Sequence, residues 1–416
     1  MRKVLAVLVL AVLFCTNVFS SQVDMLVNKM VDLNLLTPGD AQQIITETNQ
    51  DERSLIAAGT SETLPQWIQN MSFKGDFRTR VQTDWAVNTA ARTRARIRAR
   101  LGIDTRVTDG VKVGFGLATG VNKTLGTAIG SDVSDGEPRS TNWTLQNTFS
   151  KAPLMLDYGY IEYEPVGYAK MQIGKMKGNP IWNTSDILWD TDLNLDGAAL
   201  FLTHTLTPEL SLFLTPEFIT IDESSTDSSD PSLFAIQPGA NWKVNDMLNV
   251  RAAVAYYAFN VKDKILDFNA GTNTGSTTGL KNSFEALNPS IELTISDLFG
   301  YSLGLFSDYV VNNSSGEQNV GYAAGAKFGF AKVGDFGQWQ VKYLRRWLQT
   351  DAFVDAFPDS DSYSGKTNVL GDEIIIEIGL TKSTSLTLDY YAMDAIKGNS
   401  QTTPKSLLQA DIVVKF

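Results

Sequence analysis

The chain of 416 residues contains one cysteine and one histidine. The cysteine, Cys15, lies in an apolar leader, and once that leader is removed no thiol remains, which excludes disulfides and thiolate-metal sites. The histidine, His204, closes the ordinary alternating segment Phe201-Leu202-Thr203-His204 with no nucleophile motif beside it. A Ser-His-Asp relay or a histidine-based metal centre therefore has almost nothing to be built from, and neither an enzyme nor a cofactor is expected. Beyond the leader there is no apolar run of roughly 18 residues or more, which removes membrane-spanning helices. Membrane barrels stay open, because their strands read only as short alternating segments. A surplus of base is missing too: the formal net charge is −11, which makes nucleic acid a poor partner.

What is present begins with an address. Arg2 and Lys3 precede an apolar run from Val4 to Phe14 and a small-residue stretch ending Val18-Phe19-Ser20-Ser21, the pattern of a secretory signal peptide over residues 1–20, cut after Ser20 or Ser21. A lipoprotein would need Cys15 as its acylated residue, and Phe14 before it is too large for the usual lipobox. Residues 21–52 carry helical spacing. Val23, Leu26, Met30 and Leu33 form an apolar seam, and Thr37-Pro38-Gly39-Asp40 resembles a capping box with proline at the first helical position. A short periplasmic helical hairpin, or a coiled coil, is expected there. A polar linker over 53–70 follows.

From Met71 to Phe416 the period changes to two and stays there. Met71, Phe73, Phe77, Val81 and Trp85 alternate with polar Ser72, Lys74, Asp76, Arg78, Arg80, Gln82 and Asp84. About sixteen such segments can be marked: 71–85, 92–107, 110–120, 153–164, 168–177, 195–206, 209–221, 232–245, 247–262, 281–296, 299–312, 318–333, 336–350, 369–382, 384–396 and 405–416. They exceed the mean of about five to six residues for soluble strands and reach the 9 to 11 a tilted membrane strand needs. Short turns such as Asp109-Gly110, Thr207-Pro208 and Ser383-Thr384 alternate with longer polar stretches such as 121–152, 178–194, 263–280 and 351–368. An all-β fold follows, an antiparallel transmembrane barrel of about sixteen strands with short periplasmic turns and longer outside loops.

One strand has an unusual polar face. Arg92, Arg94, Arg96, Arg98 and Arg100, with Arg106 further on, occupy alternate positions, so all point one way from a strand whose other face is apolar. Guanidiniums on one side and Ala95, Ile97, Ala99 and Leu101 on the other suit the wall of a water-filled barrel, with Arg78 and Arg80 beside them.

With these features the chain resembles the bacterial outer-membrane porins, in particular the group labelled "putative porins". The resemblance is carried by Gly75-Asp76-Phe77-Arg78-Thr79-Arg80, the arginine strand, Gly174-Lys175-Met176-Lys177-Gly178-Asn179-Pro180, and Trp182…Trp189-Asp190 leading to Leu195-Asp196-Gly197. The terminal Phe416 on an alternating strand looks like the signal read by the barrel-assembly machinery. The resemblance implies a sixteen-stranded pore, a homotrimer in the outer membrane of a Gram-negative-type bacterium, in contact with lipid and lipopolysaccharide. It also implies that the third outside loop, 178–194, folds into the lumen. Its Asp186, Asp190 and Asp192 would then face the ladder Arg78, Arg80, Arg92, Arg94, Arg96, Arg98, Arg100 and Arg106 across a constriction, giving passive diffusion of small hydrophilic solutes with a mild anion preference. Two alternatives stay open: oxyanion selectivity, since arginine rings favour anions, and a structural tether to the cell wall through the N-terminal hairpin.

Overall fold

The computed structural model describes residues 37, 39–43, 46, 65–120, 137–145, 148–223, 229–277, 279–396 and 404–416. The chain divides into two units, Met1–Asn70 and Met71–Phe416. In the first, residues 39–43 are helical. Thr37 caps them: its hydroxyl donates to the Asp40 carboxylate at 2.5 Å and accepts from the Asp40 amide at 3.3 Å. One further turn, Gln66–Gln69, stands inside the expected linker. The Val23–Leu33 seam lies outside the described residues.

The second unit is a closed antiparallel barrel of sixteen strands. In chain order they are β1 Ser72–Ala86, β2 Arg92–Thr108, β3 Val111–Thr119, β4 Leu154–Val166, β5 Ala169–Lys175, β6 Asp196–Thr207, β7 Leu210–Thr220 and β8 Ser232–Lys243. They continue with β9 Leu248–Asn260, β10 Phe284–Leu298, β11 Tyr301–Asn312, β12 Val320–Gly329, β13 Trp339–Leu348, β14 Val369–Thr381, β15 Thr384–Ala395 and β16 Lys405–Lys415. Each pairs with its chain neighbours, and β1 closes on β16 through Asp76↔Lys415, Val81↔Ala410 and Ala86↔Lys405. Closure leaves no sheet edge, the condition for a sheet in lipid. Every marked segment corresponds to one strand, because alternation is the same physical constraint repeated sixteen times.

Alternation sorts the faces. Along β1, Asp76, Arg78, Arg80 and Gln82 are buried inside while Phe73, Phe77, Val81 and Trp85 are exposed outside. The inside is not uniform. Two loops from the long-loop end turn into the lumen: L3, residues 176–195, and L7, residues 349–368. They carry an apolar core within the barrel, against the wall from β6 to β16. Trp189 of L3 stacks on Phe357 of L7 at 4.8 Å and meets Phe353 edge-on at 5.4 Å. Its indole N–H donates to the Tyr257 hydroxyl of β9 at 3.3 Å. The L3 backbone is pinned below by Gln237, which both accepts from and donates to Trp182 at 2.9 and 2.8 Å. Thr184 and Ser185 are held by Asp308. The wall left clear of that core runs over β1 to β5.

Candidate pore constriction

That open wall is where the arginines lie. The β1–β2 register sets Arg78 opposite Arg98, Arg80 opposite Arg96, and Asp76 opposite Arg100. Two columns of guanidiniums therefore stand side by side, strand centres about 4.8 Å apart. Like charges at that spacing persist only if acids intervene. Asp76 accepts from Arg98 at 2.7 Å with one oxygen and from Arg100 at 2.7 Å with the other. Asp411 of β16 takes Arg80 as a fork, Nε at 2.7 Å and a terminal nitrogen at 2.8 Å. Its second oxygen lies 3.5 Å from Arg78. Asp84 accepts from Arg94 at 3.0 Å.

Two further carboxylates arrive from the loops. Asp192 of L3 lies 3.5 Å from Arg100, and its other oxygen accepts from the amide and hydroxyl of Thr141 in the loop between β3 and β4. Asp361 of L7 lies 3.2 Å from Arg80. The constriction thus has a wall of fixed arginines and a facing rim supplied by two different loops. Arg96 differs from its neighbours: its hydrogen-bond partner is the neutral Gln82 at 3.1 Å, and no described carboxylate comes within 4 Å. Arg92 and Arg106 stand exposed toward the two ends of β2.

The expected trio of acids is divided by the structure. Asp192 reaches the ladder. Asp186 points the other way, to Arg346 of β13 at 3.1 Å. Arg346 is fully buried and also binds Asp359 of L7 at 3.1 Å and Glu373 of β14. Carboxylate oxygens of these three acids lie within 4.8 Å of one another, a spacing a metal ion could use, but the guanidinium occupies their midst. The cluster latches both loops to the wall, and the Arg346 charge holds the Asp186 carboxyl below the usual range despite its burial.

Asp190 is internal to the plug, accepting the amides of Asp192 at 2.9 Å and Ser360 at 2.7 Å. Burial and the neighbouring Asp192 outweigh those donors and push its carboxyl up to about 7. A raised carboxyl contributes stability that is present at acid pH and lost as pH rises to about 7; a lowered one, Asp186, contributes stability lost at strongly acid pH. Docking of the loops should therefore loosen as pH rises from about 5 through 7. Open-channel current noise should report it, and Asp190→Asn should flatten the dependence; an unchanged profile in that variant would assign the effect elsewhere.

L7 and its Asp361 were missed by sequence reasoning. The available signal was Ala352-Phe353-Val354-Asp355-Ala356-Phe357, an apolar string in an outside loop that has no reason to face water. Below the constriction, a cavity of about 690 Å³ is lined by Arg100, Lys74, Lys415, Lys177 and Tyr158, with Asp157 and Asp192. The Tyr158 ring lies over Gly116 and Gly102, where any Cβ would collide with it, so two glycines make room for an aromatic on the lumen wall.

With this geometry in place, the family model described as "Putative porin" matches residues 85–287 and 269–416. The chain belongs to that family. Porin OprB of Pseudomonas putida superposes with a TM-score of 0.56 at 13% identity, covering 86% of this chain and 97% of that one. Variants of the Rhodopseudomonas blastica porin, for example one carrying five substitutions, give 0.44 at 11% identity over 83% of this chain and 100% of theirs. The comparison with curated proteins returned no match. The protein is an outer-membrane porin of sixteen strands, with the family and the barrel fold of a channel.

Proposed function

We propose that this porin passes small hydrophilic solutes by diffusion through a constriction with a mild preference for anions. The observation that carries the reading is the charge count at the narrow zone. Arg78, Arg80, Arg94, Arg96, Arg98 and Arg100 face Asp76, Asp84, Asp192, Asp361 and Asp411, with Asp389 of β15 near Arg80 and Asp361, yet the ion pairs leave Arg96 held only by the neutral Gln82. Near balance supports a transverse field that orients dipolar solutes, and the unpaired Arg96 favours anions. The narrower reading, selectivity for oxyanions, draws on Lys74, Lys177 and Lys415 around the cavity below, although Asp157 and Asp192 share that lining. Residues 21–52 belong to the periplasmic side in this reading, because β1 begins and β16 ends at the short-turn end. Assembly as a homotrimer is part of the same proposal.

The test is a reversal potential in a KCl gradient across a planar bilayer. Wild type should favour chloride modestly. Replacing Arg94, Arg96 and Arg98 together with glutamine should move the potential toward cations. A wild-type channel that strongly prefers potassium would remove the ladder's role, and saturation of chloride current by micromolar phosphate would favour the oxyanion reading.

A further inference from the structure

The outer wall carries one charged pair that the pore does not explain. Along β13, Lys342, Leu344, Arg346 and Leu348 face inward, so Tyr343, Arg345 and Trp347 face out. Arg345 pairs across the sheet with Asp372 of β14, itself between inward Gly371 and Glu373. The two form an ion pair of 2.6 Å with 42% and 37% of the side chains exposed. Among the described residues the other ion pair at outward register, Lys175–Asp196, sits at the last residue of β5 and the first of β6. Arg345 instead lies three residues inside the long-loop end of β13, roughly 10 Å along the strand.

A charge facing hydrocarbon at mid-membrane costs about 2–4 kcal/mol, falling to about 0–1 near the interface. The surrounding residues mark an interface. Toward the loops, Trp347 stacks on Tyr322 of β12, rings parallel within 2°. Toward the membrane centre stands Tyr343, whose hydroxyl donates to Asp372 at 2.7 Å. Around the barrel, Tyr390 and Trp85 continue the aromatic row. The residues paired with the ion pair are small, Ala324 beside Arg345 and Ala392 beside Asp372, so no large side chain stands directly opposite either member.

Asp372 already receives Tyr343 on one oxygen and Arg345 on the other. It is thereby fixed, and it fixes the guanidinium plane. A single terminal nitrogen of Arg345 is engaged by Asp372 and 42% of the side chain stays exposed, which leaves N–H groups of the fork for a further acceptor. A guanidinium fork matches phosphate oxygens, and the neighbouring rings offer flat apolar faces for a sugar or glycerol. We propose that Arg345, oriented by Asp372 and framed by Tyr343, Trp347 and Tyr322, is a docking site for a phosphate-bearing lipid headgroup of the outer leaflet. The site lies outside the lumen and is independent of the ion preference of the pore.

The probe is diphosphorylated lipid A, compared with the same lipid after enzymatic removal of its phosphates, each added to the refolded barrel in phosphate-free dodecyl maltoside micelles and read by native mass spectrometry. Wild type should enrich the phosphorylated form by about tenfold, the scale of a charge-assisted bidentate contact. Arg345→Gln should erase the preference, and Arg345→Lys should keep part of it, with heat-modifiable mobility and conductance unchanged in both. Equal retention of the two lipids by wild type would overturn the proposal without recourse to any variant. So would full preference in Arg345→Gln. A variant that retains lipid but changes oligomeric state would assign the pair to a contact between copies instead.

Discussion

Arg346→Gln should release L3 and L7 from the wall, giving a larger and noisier channel whose loops recover their order at acid pH. The reason is stoichiometry in a dry place. One guanidinium serves Asp186, Asp359 and Glu373, and Lys342 lies 4.0 Å from Glu373 at the margin. Removing one partner of a buried ionic cluster costs about 3–5 kcal/mol, because the remaining charges stay buried and unpaired. The Asp359 carboxyl is already held well above its usual range by burial and by Asp186, so it gives the first proton the variant can recover. A raised carboxyl keeps its stabilising proton at low pH and loses it as pH rises, so the variant should approach wild-type noise at acid pH and depart furthest at neutral pH. The Trp189–Phe353–Phe357 core does not depend on Arg346 and should keep the loops collapsed in part. Conductance and noise together, across pH, check this; quiet, wild-type-like currents from the variant at neutral pH would show that the apolar core alone holds the plug.

How far such features could be read in advance depends on the range over which their cause acts. Strands are local. The alternation from Phe73 to Trp85 or from Arg92 to Thr105 follows from the two-residue repeat, and it marked all sixteen segments, Phe284–Leu298 included despite Pro289. The ladder's common face was equally legible. Its partners were less so. Asp76 and Asp84 alternate with Arg78 and Arg80 on one strand, but Asp411 meets Arg80 only because the last strand closes on the first, 331 residues away. Asp104 has the same alternating register and yet does something else: it accepts from Tyr160 at 3.3 Å and lies 3.8 Å from Lys112.

Loop carboxylates were the hardest, for a physical reason. A loop's direction is set by what it packs on, and neither Arg346 nor the Phe353–Phe357 string is near Asp186 in sequence. Three acids spaced over seven residues of L3 looked equivalent; a buried arginine, a pair of amides and the ladder claim one each. Arg345 was a legible exception left unread. It stands at an apolar register position between Tyr343 and Trp347, and alternation alone placed it outside the barrel.

Asp76→Asn should be the most damaging single change in the open wall. The substitution keeps the shape and one carbonyl acceptor and removes the charge that separates Arg98 from Arg100. Arg98 and Arg78 are both nearly buried, Arg78 standing directly across from Arg98, so the loss leaves adjacent cations with only Asp192 and Asp411 to offset them. The buried-pair scale of about 3–5 kcal/mol is an upper figure here, since Arg100 keeps 35% of its side chain in the aqueous lumen, where water screens it. Unfolding by urea from lipid vesicles should show the loss, and adding Arg98→Gln should recover much of it, a coupling that a double-mutant cycle isolates. The same variant should move the reversal potential further toward anions, opposite in sign to the triple arginine replacement. Destabilisation without that shift would mean that Asp76 is a structural strut lying outside the ion path; a shift without destabilisation would mean that the columns are hydrated well enough to stand without it.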